Sequence, residues 1–191
     1  RSEGSTRLII MHYRNAERRD IPALLRLYRD VAEKSGGIAR RKEEINEEYV
    51  TAFVDRCLEN GLIIVLENEE NPEELIAEIH AWKPGIRLFE HVMTELTILV
   101  DPRFQGKGIG RTIFTIFLDE IANNRPDVGR VELMTAESNL RAQQLYQSLG
   151  FYIEGRFEMR LRTDKGFEAD IAMSWQNPGF EFDGEIPRLN R

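Results

Sequence analysis

The chain has 191 residues, 41% hydrophobic and 31% charged, which suits one globular domain with a full hydrophobic core. It holds no run of about eighteen apolar residues and no basic stretch leading into an apolar one with a small-residue cleavage site, so neither a membrane span nor a signal peptide is legible and a cytoplasmic location is expected. The net charge of −7 argues against nucleic acid as a broad-surface partner, because phosphate binding needs clustered Lys and Arg.

Residues 1–6 read as a frayed lead-in, 7–175 as a single domain and 176–191 as an irregular extension carrying Pro178, Gly179, Gly184 and Pro187. A strand is expected around Leu8 to Tyr13. Asp20 reads as an N-cap with Pro22 in the first turn, and Ile21, Leu24, Leu25, Tyr28, Val31 and Ala32 form a helical stripe that Gly36 and Gly37 end. A second helix is expected from about Glu43 to Glu59. Its apolar face carries Tyr49, Val50, Phe53, Val54 and Cys57, which makes the only cysteine a core residue rather than a nucleophile. A lone cysteine also excludes an internal disulfide and a thiolate zinc site, and His12, His80 and His91 show no ligand spacing, so no metal is expected. Glu43, Glu44, Glu47, Glu48, Asp55 and Glu59 form an acidic cluster that is either a solvated helix face or a field favouring a cationic ligand.

Leu62 to Glu67 and Leu75 to Trp82 read as a hairpin around the turn Asn68 to Pro72. Pro84-Gly85 breaks the chain before a long strand, His91 to Val100. A helix from Ile109 to about Asn123 buries Ile113, Ile116, Phe117 and Ile121, and Arg130 to Thr135 supplies the next strand, while Trp175 closes the last one. With helices between the central strands and a hairpin at each end, the fold class is α/β (α+β), a mixed sheet of about six to seven strands with helices on both faces. The terminal hairpin offers a surface on which a homodimer could form.

Between the long strand and its helix stands Val100-Asp101-Pro102-Arg103-Phe104-Gln105-Gly106-Lys107-Gly108-Ile109-Gly110-Arg111. Glycines there permit positive φ and let consecutive N–H groups converge on phosphate oxygens, and the helix N-terminus adds partial positive charge. The dinucleotide fingerprint does not fit, since the glycines alternate and no Gly-x-Gly-x-x-Gly is formed; a Walker loop does not fit either, since no Gly-Lys-Ser or Gly-Lys-Thr closes the turn. What remains, Gln105-x-x-Gly108-x-Gly110, resembles the coenzyme A pyrophosphate loop of the GNAT superfamily of N-acetyltransferases.

A second motif runs from Glu137 to Phe151. Ala142, Leu145, Tyr146 and Leu149 recur at helical spacing as one buried face, and Gly150 falls where a left-handed stop belongs. Asn139 at its start, Tyr146 one turn before its end and the Leu149-Gly150-Phe151 exit are similar to the second coenzyme A-binding helix of the same superfamily. Met11 to Ala16 with Asp20-Ile21-Pro22, and Gly150 to Arg156 with Gly166 to Met173, resemble the opening strand and last hairpin of its members that acetylate small amines, amino-acid analogues and protein N-termini.

The resemblance implies acetyl-CoA as cosubstrate, held by Gln105, Gly106, Lys107, Gly108, Ile109, Gly110 and Arg111 at the pyrophosphate and by the backbone of Leu99 and Val100 along the pantetheine arm. Asn139, Ala142 and Tyr146 of the second motif complete that set. Tyr146 is the expected proton donor to the leaving thiolate, since a phenol with a pKa near 10 stays protonated at neutral pH. Glu95 is the expected base, on the strand before the loop and on one face with Met93, Thr97 and Leu99. The expected reaction is direct acetyl transfer in a ternary complex to a small-molecule primary amine such as an amino-acid analogue or polyamine. A protein N-terminus is the alternative acceptor, and a non-catalytic acyl-CoA sensor the rival from another class.

Overall fold

The computed structural model describes residues 12–34, 38–182 and 184. Its elements are β1 (Tyr13–Asn15), α1 (Ile21–Lys34), α2 (Glu47–Asn60), β2 (Gly61–Asn68), β3 (Asn71–Trp82), β4 (Val92–Val100), α3 (Ile109–Asn124), β5 (Arg130–Ala136), α4 (Leu140–Ser148), β6 (Tyr152–Thr163) and β7 (Gly166–Gln176). The seven strands form one open sheet in the order β1-β2-β3-β4-β5-β7-β6. Every neighbouring pair is antiparallel except β4 and β5, which run parallel with α3 as their crossover.

Two cores sandwich this sheet, and β2 supplies both because its apolar run has no polar face. Leu62, Ile64 and Leu66 join the core under α3 with Ile113, Phe114, Phe117 and Ile121. Ile63 and Val65 point the other way, into the core under α1 and α2 with Leu24, Tyr28, Val31, Val50, Phe53 and Cys57. Each fully buried aromatic such as Phe114 or Phe117 contributes about 2–3 kcal/mol through the area it removes from water.

Several expected boundaries move, each for a local reason. Asp20 does not cap α1. It ends a short 3-10 turn at Arg18–Asp20, where its carboxylate accepts from the Glu17 N–H at 2.8 Å and from both terminal nitrogens of Arg14 at 2.7 and 2.8 Å. The second helix begins at Glu47 rather than Glu43, because Asn46 takes the cap by accepting from the Tyr49 N–H, while Lys42–Glu44 forms a separate 3-10 turn. The hairpin turn is tighter than expected, and Pro72 lies inside β3. α3 buries Phe114 and Leu118 beside the expected stripe, with Ile116 half-buried. The expected strand from Leu8 falls mostly outside the described residues, as do the lead-in and the Gly36-Gly37 stop.

Within the extension, Asn177 is buried and its Nδ2 donates to the carbonyls of Arg125 and Val128 at 3.2 and 2.7 Å, which pins the start of this irregular segment below α3.

One irregularity shapes the site. Between Thr97 and Thr94, β4 advances three residues while β3 advances two, from His80 to Trp82, and Glu95 takes φ +57° to absorb the extra one. The bulge inverts the pleat. Met93 faces the α3 core and Leu99 the α1/α2 core, so the expectation that Glu95 shares one face with Met93, Thr97 and Leu99 fails. β4 and β5 pair only at Val92↔Arg130 and Met93↔Val131, so the sheet opens from the bulge onward.

Candidate active site

The segment after β4 is built to present backbone. The Asp101 side chain accepts from the Arg103 N–H at 2.8 Å and starts a 3-10 turn at Pro102–Phe104. Burial pushes the Asp101 carboxyl up, but hydrogen bonds from the Arg103 side chain and backbone outweigh it and hold the group below the usual carboxylate range. Gln105 folds back so that its Nε2 donates to the Val100 carbonyl at 3.0 Å, the last residue of the open β4 edge.

Gly106 and Gly108 have φ of +76° and +82°, and Gly108 caps α3. These two glycines are required by the backbone, since no neighbouring atom lies within 4 Å of a Cβ at either position. Gly110 is helical, and a Cβ there would make ordinary contact with Val100 Cγ2 at 3.7 Å. The first bond of α3 runs from the Thr112 N–H to the Gly108 carbonyl at 3.0 Å. The N–H groups of Ile109, Gly110 and Arg111 therefore lack helical partners and point off the helix end, an arrangement suited to an anion.

These groups border a groove of about 340 Å³. Ile98, Leu99 and Val100 form one wall, Phe104, Gln105, Gly106, Gly108, Ile109, Gly110 and Arg111 one end, and Asn139, Arg141, Ala142 and Leu145 the opposite wall, with Val31 reaching in from α1. The structure thus brings both sequence motifs to one cleft. Lys107 is not part of the lining; its Nζ lies 5.1 Å from the centre of the Phe104 ring. A larger hollow of about 430 Å³ lies at the β2–β3 turn among His12, Glu67, Asn68, Glu69 and Pro72, and contains none of the motif residues.

On α4 the Asn139 side chain accepts from the Ala142 N–H at 3.2 Å, so this residue is the helix cap that its position implied. The expected buried face is only half-buried, because α4 closes the groove with Ala142 and Leu145 rather than sinking into the core. Tyr146 packs against Phe114 and Phe151, with ring centres 5.4 and 6.1 Å away, and burial pushes its phenol up to about 12. Gly150, at φ +93°, ends the motif as expected, and Arg111 donates to the Ser148 hydroxyl at 2.7 Å, which ties α3 to α4. Neither Tyr146 nor Glu95 lines the groove itself; Glu95 is exposed on the bulge.

A sequence profile of the Acetyltransferase (GNAT) family matches residues 22–151, more than half of the chain. This chain belongs to that family. It is accordingly an acetyltransferase by membership, and solved structures of other GNAT proteins share its fold. A ribosomal-protein-alanine N-acetyltransferase from Brucella melitensis superposes with TM-score 0.74 at 21% identity, over 86% of this chain and 99% of its own. A GNAT-family acetyltransferase from Streptococcus pneumoniae gives 0.76 at 19% identity, over 87% and 99%. A phosphinothricin acetyltransferase from Sinorhizobium meliloti, in complex with acetyl-CoA, gives 0.74 at 16% identity, over 94% of both chains. No curated protein matches the chain significantly.

On the other face of β4 the GNAT domain carries side chains that the motifs did not announce. Tyr28 donates to Glu78 Oε2 at 2.8 Å, and His80 Nδ1 lies 2.7 Å from Glu78 Oε1 and 3.3 Å from the Tyr28 oxygen, all three residues being at most 1% exposed. The network assigns the Nδ1 proton to His80, shared with the carboxylate. The imidazole is sandwiched between Phe53 and Trp82, at 4.5 and 5.3 Å, and Tyr49 stands edge-on to both Phe53 and Tyr28. One signal was available in the sequence. Glu78 and His80 are two apart in an otherwise apolar strand, which puts two ionisable groups on one buried face.

Proposed function

We propose that this acetyltransferase moves the acetyl group of acetyl-CoA directly onto the primary amine of a small molecule, an amino-acid analogue or a polyamine, with both substrates bound together. The observation that carries this reading is the convergence of the glycine loop, the open edge of β4 and the capped start of α4 on one groove. The residues fit the cosubstrate. The unbonded N–H groups at the start of α3 suit a pyrophosphate, the left-handed glycines leave its approach free of side chains, and the Val100 edge can pair with an amide-bearing arm.

In this reading Gln105 to Arg111 hold the pyrophosphate, Leu99 and Val100 offer main-chain groups to the pantetheine arm, and Asn139 and Ala142 border it. Acetyl-CoA supplies an activated acyl carbon as a thioester. Glu95 accepts the proton that the ammonium must lose before its nitrogen has a lone pair, and Tyr146 returns a proton to the departing sulfur. With its phenol raised to about 12, Tyr146 stays protonated across the working range. A second copy of the chain would meet the β6 edge, where Ile153, Phe157 and Met159 are exposed.

Relatives whose names carry a protein N-terminus and a small molecule both superpose at TM-score 0.74, so the shared scaffold accommodates either kind of acceptor. The test is thiol release from acetyl-CoA in the presence of small amines, amino acids, polyamines and N-terminal peptides, beside a calorimetric titration of coenzyme A. Release with a small amine is the expected result. Release only with peptides would move the reading to a protein acceptor, and tight coenzyme A binding with no acceptor would convert it to a sensor.

A further inference from the structure

The groove has a cationic lining in a chain of net charge −7. Among the described residues that line it, only Arg111 and Arg141 carry charge, and neither Asp nor Glu takes part. The two arginines stand differently. Arg111 is engaged, because its donation to the Ser148 hydroxyl at 2.7 Å ties the side chain to the last residue of α4. Arg141, the second residue of α4, is exposed and has neither a hydrogen-bond nor an ion-pair partner among the described residues.

The acids around the start of α4 are already committed. Glu137 pairs with Arg156, and Glu168 Oε2 accepts from the Ser138 N–H at 3.2 Å. The other cations of the glycine segment are set apart as well: Arg103 is held by Asp101 and Glu74, and Lys107 lies against Phe104 outside the lining. Arg141 also has a fixed base. Asn139 caps the helix at the Ala142 N–H, and Gln143 Nε2 donates to the carbonyls of Ala136 and Glu137 at 3.2 and 2.9 Å, so the first turn of α4 is fastened to the end of β5.

The charge exceeds what a pyrophosphate needs. Main-chain N–H groups at the start of α3 suit that group without help from any side chain, which leaves the groove with an uncommitted guanidinium on the wall opposite the loop. Acetyl-CoA bears one more phosphate, a monoester on its ribose, with a charge of about −1.5 to −2 at neutral pH and three strong acceptor oxygens. A planar guanidinium matches such a group with two parallel charge-assisted hydrogen bonds.

We propose that Arg141 grips the ribose 3′-phosphate of the cosubstrate, so that the protein selects coenzyme A over its 3′-dephospho form. This rests on the groove being the acetyl-CoA site, and it adds a contact that the glycine loop does not supply. Main chain holds the pyrophosphate from one wall, and a side chain holds the ribose phosphate from the other.

The experiment is a calorimetric titration of coenzyme A and of 3′-dephospho-coenzyme A into the native protein, Arg141→Gln and Arg141→Lys. The native protein is expected to bind coenzyme A about 10- to 100-fold more tightly, the range of a hydrogen-bonded contact between charged groups. Arg141→Gln weakens coenzyme A by that factor and leaves the dephospho form unchanged, so the two affinities converge. Arg141→Lys keeps part of the preference, because an ammonium retains the charge without the fork. Thermal midpoints report whether both variants are folded. Equal affinity for the two ligands in the native protein, a preference that survives in folded Arg141→Gln, or a loss that strikes both ligands alike overturns the inference and leaves the groove as the coenzyme A site. Failure of the native protein to bind either ligand overturns the cosubstrate assignment, and this inference with it.

Discussion

The two faces of the sheet are built from different materials. Under α3, the groove is made of main chain: two left-handed glycines, an uncovered helix end and a strand edge parted from its neighbour. Under α1 and α2 the polar features are side chains: three fully buried polar residues, a stack of rings and an exposed guanidinium. Backbone geometry suits a ligand that never changes, while side chains can be exchanged without disturbing the scaffold.

The comparison is broken most directly at Gly108. Gly108→Glu puts a carboxylate where phosphate is expected, and coenzyme A affinity should fall more than about a hundredfold in a calorimetric titration, as expected for like charges at a helix N-terminus. Stability should fall by only about 1–2 kcal/mol, the cost of a left-handed φ, since space for the side chain exists. Retained affinity would show that the loop is a turn and nothing more.

The mirror experiment is Glu78→Ala. It removes the acceptor of both the Tyr28 hydroxyl and the His80 Nδ1 proton, which leaves these buried groups only each other at 3.3 Å and one donor unsatisfied. Urea unfolding should show a loss of about 3–5 kcal/mol. Coenzyme A affinity of the folded fraction should hold, because none of Tyr28, Glu78 and His80 lines the groove, although Val31 of the same helix as Tyr28 does. A parallel loss of affinity would mean that the faces are coupled.

Tyr146→Phe is milder and acts on rate. The ring contacts with Phe114 and Phe151 survive, so kcat should drop by about a hundredfold while coenzyme A affinity is held, and an unchanged kcat removes the hydroxyl from the chemistry.

This division explains what the sequence made legible. The loop and α4 could be read because left-handed glycines and an Asn cap are local requirements, each satisfied within a few residues of chain. Asp20 was misread for the complementary reason: its partner Arg14 belongs to the preceding strand, and the ion pair draws the carboxylate away from the helix end. Met93 was wrongly grouped with Glu95, Thr97 and Leu99 on one face because period-two reasoning assumes a regular pleat, and one residue at φ +57° reverses it. The Tyr28, Glu78 and His80 cluster joins a helix to a strand about fifty positions later in the chain, and only packing reveals it.

The smallest effect expected is a pH dependence, and it too separates the faces. Burial raises the phenols of Tyr28, Tyr49 and Tyr146, most strongly for Tyr28, where the Glu78 charge adds to it. An unfolded tyrosine releases its proton near pH 10, so above that pH the folded state binds more protons than the unfolded one. The stability these protons contribute is complete below about pH 10 and falls as pH rises toward the folded values, by about 1.4 kcal/mol per unit for each group still protonated in the fold. Urea midpoints between pH 9 and 11.5 should therefore decline, and Tyr28→Phe should flatten the decline more than Tyr146→Phe. Tyr146 also predicts a rate profile, since a phenol at about 12 imposes no alkaline fall in kcat below about pH 11. A fall near pH 10 that disappears in Tyr146→Phe would place the phenol in water rather than against Phe114.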